Sequence, residues 1–167
     1  LENGIRNIGG SVFQNCTSLT KIVVPDSVRN IGVYTFYNCA ALESAKLSEN
    51  VTYISNYMFH NCYSLKTVAF SSSLTEVREN AFYNCKSLTT ITFPKTIFFI
   101  NPNTSFYGAT NLKTVHIKAT NPFSVIGVLG ATNATVYVPE VSLEAYQKYN
   151  EAKYKDRFKA LLTTAGD

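Results

Sequence analysis

The fold of this chain is decided by the stretch Phe82-Tyr83-Asn84-Cys85-Lys86-Ser87-Leu88-Thr89-Thr90-Ile91-Thr92-Phe93-Pro94. Its cysteine is one of four, and the four stand 23 residues apart, at Cys16, Cys39, Cys62 and Cys85. A fixed spacing of this length is typical of a repeat architecture. Other residues should therefore follow the same period.

Six apolar columns share this period. The two strictest are Phe13, Phe36, Phe59, Phe82 and Phe106, and Leu19, Leu42, Leu65, Leu88 and Leu112. The four mixed columns are Ile22, Ala45, Val68, Ile91 and Val115; Val24, Leu47, Phe70, Phe93 and Ile117; Val28, Val51, Leu74 and Ile97; and Ile8, Ile31, Ile54, Val77 and Ile100. One residue inserted within 101–105 lengthens the last step to 24. A single unit cannot bury its apolar face alone, so the units are expected to stack as coils of a solenoid.

The segment 19–24 predicts a short strand in each coil. Ile22 and Val24 alternate with Lys21 and Val23, which is the two-residue period of a strand with one buried face. The first pair is expected to point into the core and the second pair to solvent. Stacking would place equivalent strands about 4.8 Å apart.

The remainder of each coil returns the chain to the next strand. Val28 and Ile31 predict a second short strand or an extended turn. Phe36 and Cys39 are three residues apart, which fits a tight helical or 3₁₀ turn that places both side chains in the core. The sequence thus predicts a leucine-rich repeat solenoid, an α/β or mainly β horseshoe with about five coils of 23 residues.

The cysteines are interpreted as reduced core thiols. Stacked coils would hold equivalent Cβ atoms about 4.8 Å apart, which exceeds the roughly 3.5–4.5 Å of a disulfide. A zinc site would need converging ligands, typically in close Cys or His pairs, and the sequence contains no such pair. The asparagines that precede the cysteines are expected to bond main-chain groups of the adjacent coil. They are Asn15, Asn38, Asn61 and Asn84.

The two ends of the solenoid differ in pattern. Residues 1–118 hold the repeats, and they open in the middle of a unit, so further repeats upstream are expected. Residues 119–139 predict a degenerate last coil with a sixth, shortened strand at Val136 and Val138. Residues 140–167 predict a helical cap of the same domain with Ser142 as its N-cap. The apolar face of this cap would comprise Leu143, Tyr146, Tyr149, Phe158, Leu161 and Leu162.

The repeat resembles the BspA-like (Treponema pallidum type) leucine-rich repeats. The resemblance rests on residues 82–94 together with Val28-Arg29-Asn30-Ile31-Gly32, and it covers roughly residues 5–118. Val136-Tyr137-Val138-Pro139, followed by residues 142–146, is similar to the closing segment of gut bacterial members. The resemblance implies a secreted or cell-surface solenoid without catalytic residues, in a family where some members adhere to host proteins or to other cells.

Composition narrows the function classes. The 167 residues carry 15 basic and 11 acidic side chains, a net charge of +4, and no basic block longer than residues 153–157, so nucleic acid is not expected as a partner. Membrane insertion is not expected either, because no stretch approaches about 18 apolar residues. His60 and His116 fall in different columns, so no catalytic triad or two-histidine metal site can be assembled. The sequence therefore predicts no enzyme activity, no metal and no cofactor.

The outward residues of the strands form the first candidate binding surface. Equivalent outward positions should align in rows across the coils, and here they carry small hydroxyl groups and a few cations. Such rows could bind a protein or a glycan, although Thr and Ser also simply suit solvated strands. We call this surface the strand face, and its candidate residues are Lys21, Lys46, Thr67, Thr90, Thr92, Thr114 and His116.

Two aromatic columns that flank the buried Phe column form the second candidate surface. Tyrosines supply rigid contact area for a sugar ring or a protein partner. The alternative is that the rings pack on one another between coils and serve the fold. We call this surface the aromatic ridge, and it comprises Tyr34, Tyr37, Tyr57, His60, Tyr83 and Tyr107.

These patterns predict a noncatalytic recognition or adhesion module, which would bind an extracellular protein or glycan of a host or a neighbouring cell. A secreted or cell-surface location follows from the family resemblance alone. The alternative from another class is a structural spacer, whose repeats hold a different domain away from the cell. A spacer would tolerate changes to its outward residues, whereas a binding module would lose its ligand.

Overall fold

The structure, a computed structural model, describes residues 1–161. Twelve short strands follow one another along this part of the chain. In chain order they are β1 (Asn7–Ile8), β2 (Lys21–Val23), β3 (Asn30–Ile31), β4 (Ser44–Lys46), β5 (Tyr53–Ile54), β6 (Thr67–Ala69), β7 (Glu76–Val77), β8 (Thr90–Phe93), β9 (Phe99–Ile100), β10 (Thr114–Ile117), β11 (Thr135–Pro139) and β12 (Phe158–Leu161). Two helices, α1 (Ile126–Leu129) and α2 (Leu143–Tyr149), lie near the C-terminal end. The chain is a mainly β solenoid with a small helical cap.

Each of the five full coils contributes one strand to a front surface and one to a return surface, and all pairings are parallel. The front strands form the sheets β2-β4-β6 and β8-β10-β11-β12. The return strands form β1-β3 and β5-β7-β9, which confirms that the Val28 to Ile31 segment is a second short strand. The register joins Ile22 to Ala45 and Ala45 to Val68, so the predicted columns are the real ladders.

The last repeat differs from the prediction in one respect. Val115 pairs with Val136, so the coil is indeed shorter than the others. Its strand β11 is not shortened, because it has five residues where β2 has three. The residues lost from this coil come from its return side, where α1 replaces a return strand.

Stacked phenylalanine rings run through the core. The ring centroids of Phe36 and Phe59 lie 5.5 Å apart, as do those of Phe59 and Phe82, with interplanar angles of 9° and 17°. All three side chains are fully buried. Burial of one such side chain stabilises the fold by about 1.5–3 kcal/mol. In the first coil Phe13 and Leu19 are only half-buried, since no coil covers their outer side in the described chain.

The turn before each cysteine depends on asparagine. Asn15, Asn38, Asn61 and Asn84 all have φ between 57 and 60°, a left-handed conformation that asparagine adopts more readily than most residues. The sequence suggested that their side chains bond main-chain groups, but within residues 1–161 they do not. Instead the amides of Asn38, Asn61 and Asn84 each donate to the asparagine side-chain oxygen of the previous coil, at 3.1, 2.8 and 3.0 Å. At the next equivalent position Gly108 supplies the positive φ, and this ends the asparagine ladder.

The thiols pack as the sequence predicted. All four cysteines are free, and Cys39, Cys62 and Cys85 are fully buried. The three buried thiols each donate to a main-chain oxygen of the previous coil, at 3.1–3.2 Å. Burial is the main cause that raises the pKa of the Cys39 thiol to about 11, and it raises the pKa values of Cys62 and Cys85 further. These thiols are therefore protonated at neutral pH.

We expect a thiol reagent to distinguish the first coil from the rest. Cys16 is half-buried, whereas the other three thiols are covered and protonated, and only the thiolate reacts. In native buffer near neutral pH, Ellman's reagent should modify Cys16 first, and Cys16→Ser should remove that rapid phase. Under denaturant all four thiols should react. A smaller total without reductant would show disulfides and contradict the thiol ladder.

The C-terminal segment caps the last coil with a helix and then with a strand. Tyr146 of α2 is fully buried, and its phenol donates to Ala119 O and Asn121 O at 3.2 and 3.1 Å. Residues 152–157 form a 3₁₀ helix. Beyond it Phe158 begins β12, which pairs in parallel with β11. The cap thus extends the front sheet by one strand.

Three details of the predicted cap are wrong. Ser142 makes no side-chain capping bond to α2, because it is buried where a 3₁₀ turn precedes the helix. Tyr149 is 61% exposed, whereas Tyr146 of this helix is buried and Leu143 packs against the core. Phe158 and Leu161 belong to a strand rather than to a helical face, because the edge of β11 offers main-chain partners. Leu162 lies outside the described residues.

Candidate functional site

The predicted strand face exists as a surface, although it is not uniform. Lys21, Thr67 and Thr90 are exposed and aligned along one row of the front strands, and Lys46 and Thr92 are exposed along the next. Thr114 and His116 of β10 are half-buried. The His116 ring meets the Tyr137 ring edge to face at 5.3 Å. Burial and the nearby Lys118 lower the pKa of His116, so a neutral ring closes this end of the face.

The aromatic ridge is also assembled, but its rings face one another. The Tyr34 and Tyr57 ring centroids are 4.6 Å apart and nearly parallel. In the second column His60 stacks between Tyr37 and Tyr83 at 4.8 and 4.5 Å. Tyr107 continues that stack at 5.3 Å and is 57% exposed. The inner rings His60 and Tyr83 therefore have a neighbouring ring on both faces within the column.

His60 is the one imidazole in this aromatic column. Its side chain is half-buried, and its Nδ1 atom is covered without a hydrogen-bond partner among residues 1–161. Burial lowers the pKa of the ring below its ordinary value. The fold therefore favours the neutral imidazole between the two tyrosines.

The depressed pKa of His60 should make folding sensitive to pH. The unfolded chain binds a proton at a higher pH than the folded chain, so the free energy of unfolding should fall between about pH 7 and pH 5. His60→Tyr, which copies Tyr37 and Tyr83, should remove that part of the dependence. Thermal melts of both proteins at the two pH values test this. Parallel losses of Tm in wild type and variant would contradict it.

The front surface contains a break that the sequence analysis missed. Strands β6 and β8 belong to different sheets, whereas their neighbours pair on either side. Val24 N donates to Lys46 O at 2.8 Å, and Leu47 N donates to Ala69 O at 3.0 Å. The equivalent N–H of Phe70 has no main-chain acceptor among residues 1–161. One ladder of main-chain hydrogen bonds is therefore missing between the third and fourth coils.

Two phenylalanines lie at the break. Phe70 and Phe93 occupy a core column that elsewhere contains Val, Leu or Ile, and their rings stack at 5.4 Å. The two rings also meet Phe82 and Phe106 edge to face, at 6.1 and 6.4 Å. Val68 and Phe70 are only half-buried beside the unpaired strands. The consecutive aromatic residues in one column were the available signal in the sequence.

A groove of about 470 Å³ lies over this break. Its floor contains Val68 and Phe70, and Thr92 lies beside them. Lys95 and Lys118 line it as well, from the fourth and fifth coils. An adjoining concavity of about 350 Å³ shares the Val68 and Ala69 region. We call the first concavity the β6–β8 groove.

The lysines around these two concavities form no ion pairs within residues 1–161. The three salt bridges of this range involve Lys66, Arg78 and Lys153. The four lysines that line the concavities belong to none of them, and they are Lys21, Lys46, Lys95 and Lys118. With Glu49 as the one acidic residue of the two linings, the concavities have a net positive charge.

Residues 1–161 can also be checked for a metal site, for paired histidines and for a membrane-spanning helix. Across 1–161 no group of three or more His, Cys, Asp or Glu side chains is arranged to hold a metal ion. His60 lies in the ridge and His116 on the strand face, so the two are not brought together. Within the same range no helix has both the length and the apolar character to cross a bilayer.

These features define a class of protein, the leucine-rich repeat solenoid, in which a front strand and a return strand alternate around a ladder core. The chain belongs to the BspA type leucine-rich repeat family, since the family described as BspA type Leucine rich repeat region (6 copies) matches residues 1–113. No curated protein is a significant match to the chain.

Three solved structures share this fold. The T. pallidum leucine-rich repeat protein is 22% identical with a TM-score of 0.65, over 90% of this chain and 81% of that one. A leucine-rich repeat protein from Bacteroides ovatus is 22% identical with a TM-score of 0.60, over 83% and 44%. The pneumococcal vaccine antigen PcpA is 16% identical with a TM-score of 0.65, over 86% and 42%. The chain thus spans less than half the length of the last two.

Proposed function

We propose that this chain is a noncatalytic recognition module of a secreted or cell-surface bacterial protein. The proposal is that it binds an extracellular protein or glycan through the strand face. Membership of the BspA type family supports the class, and fold similarity to a pneumococcal vaccine antigen supports the location. One observation carries the choice of surface, namely the two adjoining concavities, whose lysines form no ion pair with any residue of the described range 1–161.

The strand face is favoured over the aromatic ridge for a physical reason. A sugar ring or an apolar partner side chain would need an exposed aromatic face, and the inner ridge rings offer little. His60, for example, is covered on both faces by Tyr37 and Tyr83. On the strand face, by contrast, Lys46 and Thr92 are exposed, and Val23 is 50% exposed.

Charge reversal on one face tests the proposal. The chain would first be screened against immobilised matrix proteins and a glycan array. Lys21→Glu combined with Lys46→Glu should abolish binding of any ligand found, because both side chains line the strand-face concavity. The matched control is Arg6→Glu with Arg29→Glu, which changes the net charge equally on exposed residues outside both concavities. This control should retain the ligand.

Two results would count against recognition by the strand face. Equal binding by both charge-reversal variants would move the site elsewhere. The triple variant Tyr37→Ser, Tyr57→Ser and Tyr83→Ser is expected to keep the ligand. If this variant folds but no longer binds, the binding site lies on the aromatic ridge. If no matrix protein or glycan binds the chain in the screen, the spacer function is favoured instead.

A further inference from the structure

The β6–β8 groove combines three kinds of contact in one place. Lys95 and Lys118 supply positive charge, and Thr92 supplies an exposed hydroxyl group. The floor adds apolar contact from Val68 and from the accessible part of Phe70. Within residues 1–161 the N–H of Phe70 has no hydrogen-bond partner, whereas the equivalent N–H groups of Val24 and Leu47 are bonded, so it adds a donor. These contacts favour a ligand that is anionic, rich in hydrogen-bonding groups and partly apolar.

The groove also contains one carboxylate. Glu49 accepts the main-chain N–H of Ser72 at 3.0 Å, just as Asp26 accepts the N–H of Glu49 one coil earlier. The equivalent positions of the next two coils are Ser72 and Lys95, so this row changes from acidic to basic along the solenoid. The groove lies at this change, and its two lysines outnumber the single carboxylate, which is held by the Ser72 N–H.

We propose that the β6–β8 groove binds an acidic polysaccharide through carboxylate groups on successive sugar residues. This rests on the proposed recognition function and names its ligand class. Lys95 and Lys118 come from successive coils and line the same groove, so each can meet the carboxylate of a different sugar in one chain. The hydroxyl groups of the sugars both donate and accept, as Phe70 N–H and Thr92 require.

An acidic peptide fits the same surface less well. A peptide that adds to a sheet needs an open strand edge and room for a full strand. The third and fourth coils remain in contact here, since Phe70 stacks on Phe93 and Ser87 N donates to Tyr63 O at 3.1 Å. The break is thus too narrow for an inserted strand. A saccharide lying across the groove needs no such space.

A pair of matched saccharides tests the charge requirement. Oligogalacturonate carries one carboxylate per sugar, and its methyl ester has the same backbone without the charge. By calorimetry, oligogalacturonate should bind at least about tenfold more tightly than the ester, and added salt should weaken it. Poly-L-glutamate of similar length is the comparison probe, because it carries carboxylates on a peptide backbone instead of a sugar backbone. It should bind more weakly than oligogalacturonate.

Two variants assign the binding to the groove. Lys95→Gln with Lys118→Gln should weaken oligogalacturonate binding about tenfold, since two partly exposed charge contacts are lost. Lys148→Gln with Lys155→Gln removes the same charge from exposed residues of the cap and should leave binding unchanged. Circular dichroism confirms that both variants fold. Equal affinities of the two variants would overturn the site.

The groove itself can be tested by closing it. Phe70→Leu copies the equivalent Leu47, removes the stack with Phe93 and should let β6 and β8 pair. In the wild type, the main-chain amide of Phe70 should exchange its hydrogen at least about tenfold faster than that of Leu47. In Phe70→Leu the two exchange rates should become more similar. The variant should also bind oligogalacturonate more weakly. Exchange at Phe70 as slow as at Leu47 in the wild type would show paired strands and overturn the groove.

The remaining outcomes separate the two proposals. Equal binding of oligogalacturonate and its ester, or equal binding of poly-L-glutamate, overturns the acidic saccharide. If no acidic probe binds but another ligand is lost on Lys21→Glu with Lys46→Glu, the ligand class is wrong and the recognition function stands. If no ligand depends on the strand face, both proposals fail.

Discussion

Phe59→Ala is expected to lower the free energy of unfolding by about 3–5 kcal/mol. The side chain is fully buried in the central part of the solenoid, and its ring stacks on Phe36 and Phe82 with centroids 5.5 Å away on each side. Truncation removes the buried area and also leaves two neighbouring rings without a partner. Because each coil is held mainly by its neighbours, a cavity here weakens two interfaces at once.

Urea denaturation followed by circular dichroism would measure this loss. Phe98→Ala is the matched control, since Phe98 is 59% exposed and the same atoms are removed. The control should stay within about 0.5 kcal/mol of the wild type. A loss below about 1 kcal/mol for Phe59→Ala would mean that the phenylalanine ladder does not form the core.

Tyr146→Ala should cost about 3–5 kcal/mol as well, because it undoes the contact between the cap and the last coil. The Tyr146 ring packs between Phe123 and Phe158, at 5.9 and 6.1 Å. Its hydroxyl group donates to two main-chain oxygens of the segment that follows β10. Burial raises the pKa of this phenol, so the hydroxyl keeps its proton and remains a donor.

Two further substitutions resolve the Tyr146 effect into parts. Tyr146→Phe keeps the ring and removes both hydrogen bonds, which should cost about 1–3 kcal/mol. Tyr149→Ala truncates a tyrosine of the same helix that is 61% exposed and should cost little. Denaturant midpoints and hydrogen exchange in β12 report the result. Equal midpoints for Tyr146→Ala and Tyr149→Ala would contradict a docked cap.

Much of the fold could be predicted because the repeat makes one pattern visible several times. The ladders Phe36 to Phe82 and Ile22 to Val68 follow directly from residues on one period. Inward and outward positions follow from the alternation in each strand. The cap could be predicted only in part, since it occurs once. Its apolar residues were visible, but Phe158 could not be assigned to a strand without knowing that β11 left an edge open.

The candidate site could be predicted less well. The outward rows were visible because they follow the strand period, and Lys21, Lys46, Thr90 and Thr92 are exposed as expected. Lys95 and Lys118 were not selected, because they lie just beyond the strands and occupy different positions in their coils. Only the folded chain shows that they line the same groove.

The repeat was enough to predict the solenoid, its ladders and its family, because a buried column has the same residue type at every coil. How neighbouring coils meet is visible only in the folded chain. There the asparagine side chains bond one another rather than the main chain within residues 1–161. Strands β6 and β8 are unpaired at the place where Phe70 stacks on Phe93. Both features depend on how side chains of different coils meet in space, and a one-dimensional period does not specify such contacts.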